Sequence, residues 1–258
     1  MHQGQQRDRT EQKVTVVTGG SRGIGAAVAV RLAAAGHDVA LGYVRDAGAA
    51  ERVADRVRSA GRAALTFRAD VAVESEVHGL FDAAVARLGP VTGLVNNAGV
   101  TGPLGRFTET PTDVMRRVVD VNVLGTLLCA RRAAREMSTR HGGSGGAIVN
   151  ISSGAATLGS PGEYVHYAAT KAAVDALTVG LSKELGPEGV RVNSVQPGMT
   201  LTDMHAAMGD PERPWRNPDR VPMRRPGEPE EIAGAVAWLL SDEASYTSGA
   251  VLRVAGGL

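Results

Sequence analysis

The sequence has few features that crosslink a chain, anchor it in a membrane or bind nucleic acid. Only one cysteine occurs among 258 residues, so an internal disulfide is excluded, and apolar neighbours predict that Cys129 is a small core residue. No apolar run reaches the length of about 18 residues that a membrane span requires. The formal net charge is only +1 and no dense basic run occurs, which argues against nucleic acid or a membrane surface as a partner. We therefore expect small-molecule substrates and a cytoplasmic location.

Several catalytic and metal-binding patterns are also absent. The sequence has no Cys/His cluster at metal-ligand spacing, no pair of carboxylates and no G-x-S-x-G nucleophile elbow, so we expect no metal. Aromatic residues make up 3% of the chain, which leaves alanine, valine and leucine to fill the core. Lysine occurs only at Lys13, Lys171 and Lys183. The position of a lysine is therefore more informative than that of an arginine.

From Lys13 onward, short β-branched segments alternate with longer segments of helical periodicity. This pattern is typical of a parallel sheet covered by helices. The predicted strands are residues 13–17, 38–43, 63–68, 93–96, 147–151, 190–195 and 251–254. The predicted helices are residues 23–35, 47–60, 74–88, 112–140, 164–185 and 229–240. The order predicts an α/β protein with a single doubly wound Rossmann domain and a seven-stranded parallel sheet flanked by helices.

Two segments lie outside this regular alternation. Residues 1–12 are polar and predict a disordered N-terminal tail before a domain that spans residues 13–258. Residues 204–220 are rich in proline, aspartate and arginine and have no clear periodicity. We interpret this second segment as a substrate lid, and a plain surface loop is the alternative.

The first predicted strand leads directly into a glycine-rich turn. Residues 18–25 read TGGSRGIG and precede a helix rich in alanine and valine. In such a turn Gly19 permits the tight bend, and Gly23 and Gly25 let the backbone and the helix N-terminus approach a pyrophosphate. The spacing G-x-x-x-G-x-G differs from the commoner dinucleotide fingerprint G-x-G-x-x-G. The turn predicts a dinucleotide site, and a glycine turn without a ligand is the alternative.

A tyrosine and a lysine at helical spacing give the strongest sign of catalysis. Tyr167 and Lys171 are four residues apart in a segment of strong helix formers, so they share one helix face. A carbonyl that receives a hydride needs a proton donor beside its oxygen, and Tyr167 fits that role. We expect the ammonium of Lys171 to lower the pKa of this phenol from its unperturbed value of about 10. The alternative is a buried tyrosine beside a solvated lysine.

These motifs occur together with others in a fixed order along the chain. After the TGxxxGxG turn come Asn96-Asn97-Ala98-Gly99, Asn122, Ile151-Ser152-Ser153, Tyr167-Ala168-Ala169-Thr170-Lys171, and Pro197-Gly198 with Thr202. With this set the sequence resembles the short-chain dehydrogenase/reductase family over residues 13–258. The segment at residues 160–167, SPGEYVHY, resembles the branch that contains sugar dehydrogenases and 3-oxoacyl reductases. The resemblance implies an oxidoreductase that transfers a hydride between a nicotinamide and a carbonyl or secondary alcohol, assembled as a homotetramer.

The resemblance also implies four catalytic residues, Asn122, Ser153, Tyr167 and Lys171. Ser153 would hydrogen-bond the substrate oxygen, Lys171 the nicotinamide ribose, and Asn122 would anchor a water that links Lys171 to solvent. Ser153 lies 14 residues before Tyr167, one more than in the family pattern. The extra residue falls within residues 160–164, so Ser152 remains an alternative to Ser153.

The end of the second strand predicts the choice of cofactor. Members of the family that prefer NAD place an acidic residue there, against the ribose 2′-hydroxyl, whereas this chain has Tyr43. Without a carboxylate to repel a 2′-phosphate, and with Arg22 and Arg45 able to reach it, the residues favour NADP(H) over NAD(H). An exposed arginine without a ligand is the alternative for either position.

Further cofactor contacts follow from the resemblance alone. Asp70 and Val71 would bracket the adenine, Asn96 would line the ribose side with Ala98 and Gly99, and the loop after the sixth strand would hold the carboxamide and pyrophosphate. The full predicted set is Gly19, Ser21, Arg22, Gly23, Ile24, Gly25, Tyr43, Arg45, Asp70, Val71, Asn97, Ala98, Gly99, Tyr167, Lys171, Pro197, Gly198, Thr200 and Thr202.

A catalytically silent NADP-binding sensor or regulatory protein on the same fold is the competing hypothesis. Such a protein would typically have lost the tyrosine or the lysine, and this chain has both. We therefore predict an NADP-dependent enzyme.

Overall fold

The strands form where short segments are mostly buried and apolar, and helices cover both of their faces. The computed structural model describes residues 13–216 and 218–258, so the predicted tail at residues 1–12 lies outside the described residues. Four of the five residues of the first strand, KVTVV, are buried, as expected for a strand between two helical layers. The strands are β1 (Lys13–Val17), β2 (His37–Tyr43), β3 (Ala64–Arg68), β4 (Gly93–Asn96), β5 (Gly146–Ile151), β6 (Val190–Pro197) and β7 (Val251–Val254).

The strands make one parallel sheet in the order β3-β2-β1-β4-β5-β6-β7. From β1, inside this sheet, the strands build outward to β3, and the chain then crosses back and continues from β4 to β7. β1 consequently pairs with β2 on one side and with β4 on the other. The connections leave β1 and β4 in opposite directions, and the crevice at their carboxyl ends is where sheets of this kind bind ligands. The sheet confirms the predicted seven-stranded, doubly wound Rossmann fold.

Helices cover the sheet in two layers. They are α1 (Gly23–Ala34), α2 (Ala47–Ser59), α3 (Glu74–Leu88), α4 (Thr112–Val119), α5 (Gly125–Met137), α6 (Ala155–Leu158), α7 (Val165–Leu185), α8 (Met204–Ala207), α9 (Arg213–Arg216) and α10 (Pro229–Leu240). Helices α1, α2 and α10 pack on one face, and α3, α5 and α7 on the other. Alternate strand residues therefore enter different cores: Val39 and Leu41 pack with the first layer, and Ala40 between them packs with the second. Within the described residues, no helix combines the length and the apolar character that a membrane span requires.

The single long helix predicted over residues 112–140 is wrong, because the structure divides it. A π-helical turn at Asp120–Leu124 separates α4 from α5, and a 3₁₀ turn at Thr139–His141 follows. The Thr126 hydroxyl donates a hydrogen bond of 2.8 Å to the carbonyl of Asn122, and such insertion into the helical ladder favours a wider turn. The π turn directs Asn122 into the protein interior, where it is completely buried.

The predicted lid contains two short helices, α8 and α9, which explains its lack of periodicity, since each has only four residues. Met208, which follows α8, packs in a small core with Tyr164 and Tyr167, and Met204 packs against the same core. The segment is therefore seated on the start of α7.

Candidate active site

A cavity of about 1210 Å³ opens at the carboxyl ends of the strands. Pockets for drug-sized ligands usually measure about 300–1,000 Å³, so this cavity has room for a dinucleotide together with a substrate. Arg22 and Tyr43 line one end, at the start of α1, and Ser153 and Tyr167 line the middle. Residues of α8 and α9 line the remaining side.

The glycine turn leaves the N-terminus of α1 free to bind an anion. The residue that precedes the helix, Arg22, makes no side-chain capping bond, and the first turn contains no acidic residue. The backbone N–H groups in the first turn of α1 therefore point toward the cavity without an internal partner. Gly23 has φ +53°, and a Cβ there would lie 3.3 Å from the side chain of Thr202. These residues fit the diphosphate of a dinucleotide, which needs close approach of the backbone and the positive end of a helix.

Tyr167 and Ser153 meet at the middle of the cavity. The two side chains are hydrogen-bonded, and Tyr167 is 6% exposed. Ser152 instead donates to the carbonyl of Lys171 over 3.1 Å, so the structure brings Ser153, rather than its neighbour, to Tyr167. The extra residue before Tyr167 is accommodated in a turn in which Gly159, Ser160 and Gly162 have φ values of 73°, 46° and 76°.

Burial dominates the ionisation of the tyrosine and lysine pair. It raises the pKa of Tyr167, and the hydrogen bond from Ser153 offsets this only in part. Burial lowers the pKa of Lys171 to about 8. The Lys171 ammonium donates to the carbonyl of Ile151 over 2.7 Å and lies 5.7 Å from the centroid of the Tyr167 ring. The expectation that Lys171 lowers the pKa of Tyr167 is therefore wrong for this arrangement, because desolvation of the phenol outweighs a cation that faces a carbonyl.

Asn122 holds two parts of the site together. Its Oδ1 accepts from the N–H of Val100, and its Nδ2 donates to the carbonyl of Val100, each over 2.9 Å. Nδ2 also donates to the hydroxyl of Thr170 over 3.0 Å. A Cβ on Gly99 would lie 3.4 Å from Asn122 Oδ1 and 3.5 Å from Lys171 Nζ. Asn122 thus connects the loop after β4 to the helix that carries Tyr167 and Lys171.

Comparison with known proteins gives matches over almost the whole chain. A family model described as enoyl-(acyl carrier protein) reductase matches residues 19–258. The uncharacterized oxidoreductase YgfF of Escherichia coli is 46% identical over 244 residues, which are 95% of this chain and 99% of that protein. L-rhamnose 1-dehydrogenase (NAD(P)(+)) of a Sphingomonas species is 38% identical over 250 residues, 96% of each chain. The crystal structure of a short chain dehydrogenase from Burkholderia cenocepacia in complex with NADP has a TM-score of 0.88 and 35% identity, and covers 97% of this chain and 99% of that one.

The chain belongs to the short-chain dehydrogenase/reductase family. It is therefore an oxidoreductase whose family binds a nicotinamide cofactor and acts on small molecules. The predicted family is confirmed, and a sugar dehydrogenase is among its relatives, as the residues before Tyr167 indicated.

Most of the residues that the family resemblance assigned to the cofactor line the cavity. The lining residues among them are Gly19, Ser21, Arg22, Gly23, Ile24, Tyr43, Arg45, Asp70, Val71, Asn97, Ala98, Gly99, Tyr167, Lys171, Pro197, Gly198, Thr200 and Thr202. Gly25 is the exception. A Cβ on Gly25 would lie 2.4 Å from the carbonyl oxygen of Gly19, so this glycine allows the helix to pack against the turn. We expected Gly25 to contact the cofactor, but it does not line the cavity, and its role is to permit this packing.

Asn96 does not line the ribose side as expected. Its side chain is buried and donates to Asn150 Oδ1 on β5 over 2.9 Å, because the last residue of β4 points between the strands. The next residue, Asn97, lines the cavity, and its Nδ2 donates over 3.0 Å to the carbonyls of both Thr18 and Gly19. Asn97 therefore braces the glycine turn from the neighbouring strand.

The open end of the cavity has unpaired positive charge. Arg22 and Arg45 line it and are exposed, and neither side chain makes a hydrogen bond or ion pair with residues 13–216 or 218–258. Elsewhere on the cavity wall, Arg117 Nη2 donates to Asp70 Oδ2 over 2.7 Å. In the described part of the chain, no group of three or more His, Cys, Asp or Glu side chains is placed to hold a metal ion.

Sequence reasoning missed two sets of site residues. Thr18 Oγ1 accepts from the N–H groups of Asn97 and Ala98, each over 3.0 Å. The TGxxxGxG motif contains this threonine but gave no sign that its hydroxyl holds the loop after β4. Arg213 in the lid bonds Glu163 and Tyr164 at the start of α7. The chain has many arginines, and no sequence spacing indicated that Arg213 would be the one to bond these residues.

Proposed function

We propose that this chain is an NADP-dependent dehydrogenase or reductase that transfers a hydride between NADP(H) and a carbonyl or secondary alcohol of a small substrate. Tyr167 is its acid/base, with Ser153, Lys171 and Asn122 as the other catalytic residues. The observation that carries the proposal is the buried Tyr167, hydrogen-bonded to Ser153 and one helical turn from Lys171 at the middle of the cavity.

The nicotinamide supplies or accepts the hydride when it is bound, and the protein handles the proton. Burial raises the pKa of Tyr167, so its hydroxyl holds a proton at neutral pH and can donate it to a carbonyl oxygen that gains negative charge. The Ser153 hydroxyl donates to the same oxygen and fixes it beside Tyr167. The apolar wall of Val118, Ala155 and Met208 excludes water, which strengthens both hydrogen bonds.

Lys171 stabilises the phenolate that remains after proton transfer. Its pKa of about 8 leaves it mostly protonated at neutral pH. Its ammonium lies 5.7 Å from the centroid of the Tyr167 ring and lines the cavity, where it can bind a ribose and stabilise the phenolate across that distance. Asn122 Oδ1 and Lys171 Nζ both approach Gly99, which supports a water between Asn122 and Lys171 as the route by which the proton is replaced.

The open end of the cavity supports NADP(H) over NAD(H). Arg22 and Arg45 lie there without acidic partners among the described residues, and Tyr43 places no carboxylate against a 2′-phosphate. A related enzyme is named for use of both cofactors, and a solved relative binds NADP.

Exposed apolar side chains support a homotetramer. Val119, Leu124 and Leu127 are 48%, 41% and 41% exposed on α4, the π turn and α5. Val251 on β7 and Trp238 on α10 form a second exposed set. Burial of two such sets by symmetric copies is the usual way to a closed tetramer, and light scattering after size exclusion measures the mass directly.

The test is NADPH consumption against a panel of ketones, aldehydes and sugars, in parallel with NADH and with Tyr167→Phe. Tyr246→Phe is the matched control, because Tyr246 is fully exposed. We expect turnover that prefers NADPH, collapses in Tyr167→Phe and is unchanged in Tyr246→Phe. Tight NADPH binding without reduction of any carbonyl, and without an effect of Tyr167→Phe, would favour the sensor hypothesis instead.

A further inference from the structure

Arg213 joins three separate parts of the cavity wall. Its Nη2 donates to Glu163 Oε2 over 2.6 Å and to the Tyr164 hydroxyl over 2.7 Å. Its Nη1 lies 3.4 Å from the sulfur of Met199, in the loop after β6. The side chain is only 12% exposed. One residue of the lid is thus fixed both to the start of α7 and to the loop that lines the cavity after β6.

The contact continues from Tyr164 to Tyr167. The two rings meet edge to face, with centroids 5.2 Å apart and an angle of 87° between their planes. Both tyrosines are less than a tenth exposed and pack with Met208 and Ala155. Aromatic pairs in this geometry are attractive, and tightly packed rings do not move independently. A displacement of Tyr164 therefore changes the position of the Tyr167 ring.

Arg213 also brings a positive charge toward the acid/base. The Arg213 charge lowers the pKa of Tyr167, against the larger effect of burial, and Tyr164 raises it. On α7 the Lys171 ammonium faces the carbonyl of Ile151 rather than the phenol. The remaining titratable groups of this junction are Glu163, which pairs with Arg213, Asp210, which pairs with Arg216, and the buried His205.

We propose that Arg213 is a positioning residue for the hydride-transfer reaction: through Tyr164 it couples the seating of the lid to the orientation and charge environment of the Tyr167 hydroxyl. This inference rests on the proposed function. When Arg213 seats the lid, the same contact completes the cavity wall beside Tyr167 and aligns the proton donor, so the acid/base is organised where the lid shields it from water.

Three variants separate this role from simple support of the fold. Arg213→Met removes the charge and both hydrogen bonds at similar side-chain length. Arg213→Lys keeps the charge but cannot reproduce the planar fork of donors. Glu163→Gln keeps Arg213 and removes the negative charge that opposes it.

The kinetic readout is the pH profile of alcohol oxidation, which rises as Tyr167 loses its proton. For Arg213→Met we expect the midpoint to move up by roughly half a unit to one unit and kcat to fall about tenfold, while the Kd for NADPH stays within about twofold. Glu163→Gln should move the midpoint down, because the charge of Arg213 is then unopposed. Arg213→Lys should keep the wild-type midpoint with a partial loss of kcat.

A second readout needs no turnover. The chain has 4 tyrosines, so incorporation of 3-fluorotyrosine gives four ¹⁹F resonances, which tyrosine-to-phenylalanine variants assign. We expect Arg213→Met and Glu163→Gln each to shift the Tyr167 resonance as well as that of Tyr164, without a change at Tyr43 or Tyr246.

The inference is overturned if the Tyr167 resonance and the pH midpoint are both unchanged in Arg213→Met and Glu163→Gln. It is also overturned if Arg213→Met raises only the KM of the substrate, since Arg213 would then bind substrate directly. Failure of the proposed function looks different: no carbonyl is reduced and Tyr167→Phe has no effect, while the ¹⁹F resonances still decide whether Arg213 is coupled to Tyr167.

Discussion

Replacement of Arg22 or Arg45 by alanine tests the proposed cofactor preference most directly. Arg22 lies at the start of α1 and Arg45 follows β2, and both line the open end of the cavity. Neither side chain has an acidic partner within residues 13–216 and 218–258. Alanine at either position therefore removes one cation from the expected site of the 2′-phosphate without leaving an unpaired acid behind.

The size of the effect follows from the contact that would be lost. A hydrogen bond to a charged group contributes about 1.5–3 kcal/mol, and the exposure of both arginines places each near the lower bound because water screens the charges. A loss of about 1.4 kcal/mol is a tenfold change in affinity. We expect each single variant to raise the KM for NADPH about tenfold, and the double variant about 100-fold if the two contacts are independent.

Steady-state kinetics with NADPH and NADH at one saturating carbonyl substrate measure this, and NADPH fluorescence titration gives the affinity separately. NADH lacks the 2′-phosphate, so its KM should stay within about twofold. Arg31→Ala is the matched control, since Arg31 is an exposed arginine on α1 that does not line the cavity. Equal losses for NADPH and NADH, or no loss for either, would refute the reasoning.

Three further predictions concern stability. Asn122→Ala leaves both backbone groups of Val100 without their side-chain partner, so urea denaturation should show a loss of about 3 kcal/mol, and an unchanged value would contradict the bracing role. Gly25→Ala puts a Cβ 2.4 Å from a backbone oxygen and should cost about 1–3 kcal/mol and weaken NADPH binding, whereas Gly234→Ala, whose Cβ meets nothing within 4 Å, should do neither. Burial lowers the pKa of His37 from 6.5 to about 4, so between these pH values the unfolded state binds more protons than the folded state. The free energy of unfolding should therefore rise by about 3 kcal/mol from pH 4 to pH 6.5. His37→Gln should remove this rise, and a rise that persists in the variant would show that another group causes it.

The strands and most helices were predictable because their signals are local. The bounds of β1, β4 and β7 agree with the sequence prediction residue for residue, since each is a short segment of mainly apolar residues that directly precedes or follows turn residues. The break in the predicted helix over residues 112–140 was not predictable in this way. The π turn is accompanied by hydrogen bonds of the Asn122 side chain to Val100, 22 residues away, and helix propensity contains no information about such a contact.

The residues of the candidate site were likewise predictable where their signal is local and not where it depends on the tertiary structure. The glycine turn and the Tyr167–Lys171 spacing are short-range patterns, and the structure places all of the predicted cofactor residues except Gly25 and Asn96 on one cavity. The direction of a single side chain at a strand end was not predictable from such a pattern. Asn96 points into the sheet, whereas Asn97 faces the cavity. Arg213 reaches Glu163 across 50 residues of sequence, so only the tertiary structure reveals it.

The ionisation of Tyr167 shows why spacing identifies residues better than it predicts their chemistry. A lysine one turn away lowers the pKa of a phenol when its ammonium faces the phenol oxygen in a solvated site. Here the same burial that excludes water from the reaction raises the pKa of Tyr167 and lowers that of Lys171, and the Ile151 carbonyl takes the hydrogen bond of the ammonium. The closed site therefore favours the neutral phenol, which is the form that donates a proton during reduction. Oxidation requires the phenolate, so positive charge near the phenol favours that direction at lower pH. It comes from Arg213 through the lid and from Lys171, whose ammonium lies 5.7 Å from the Tyr167 ring centroid.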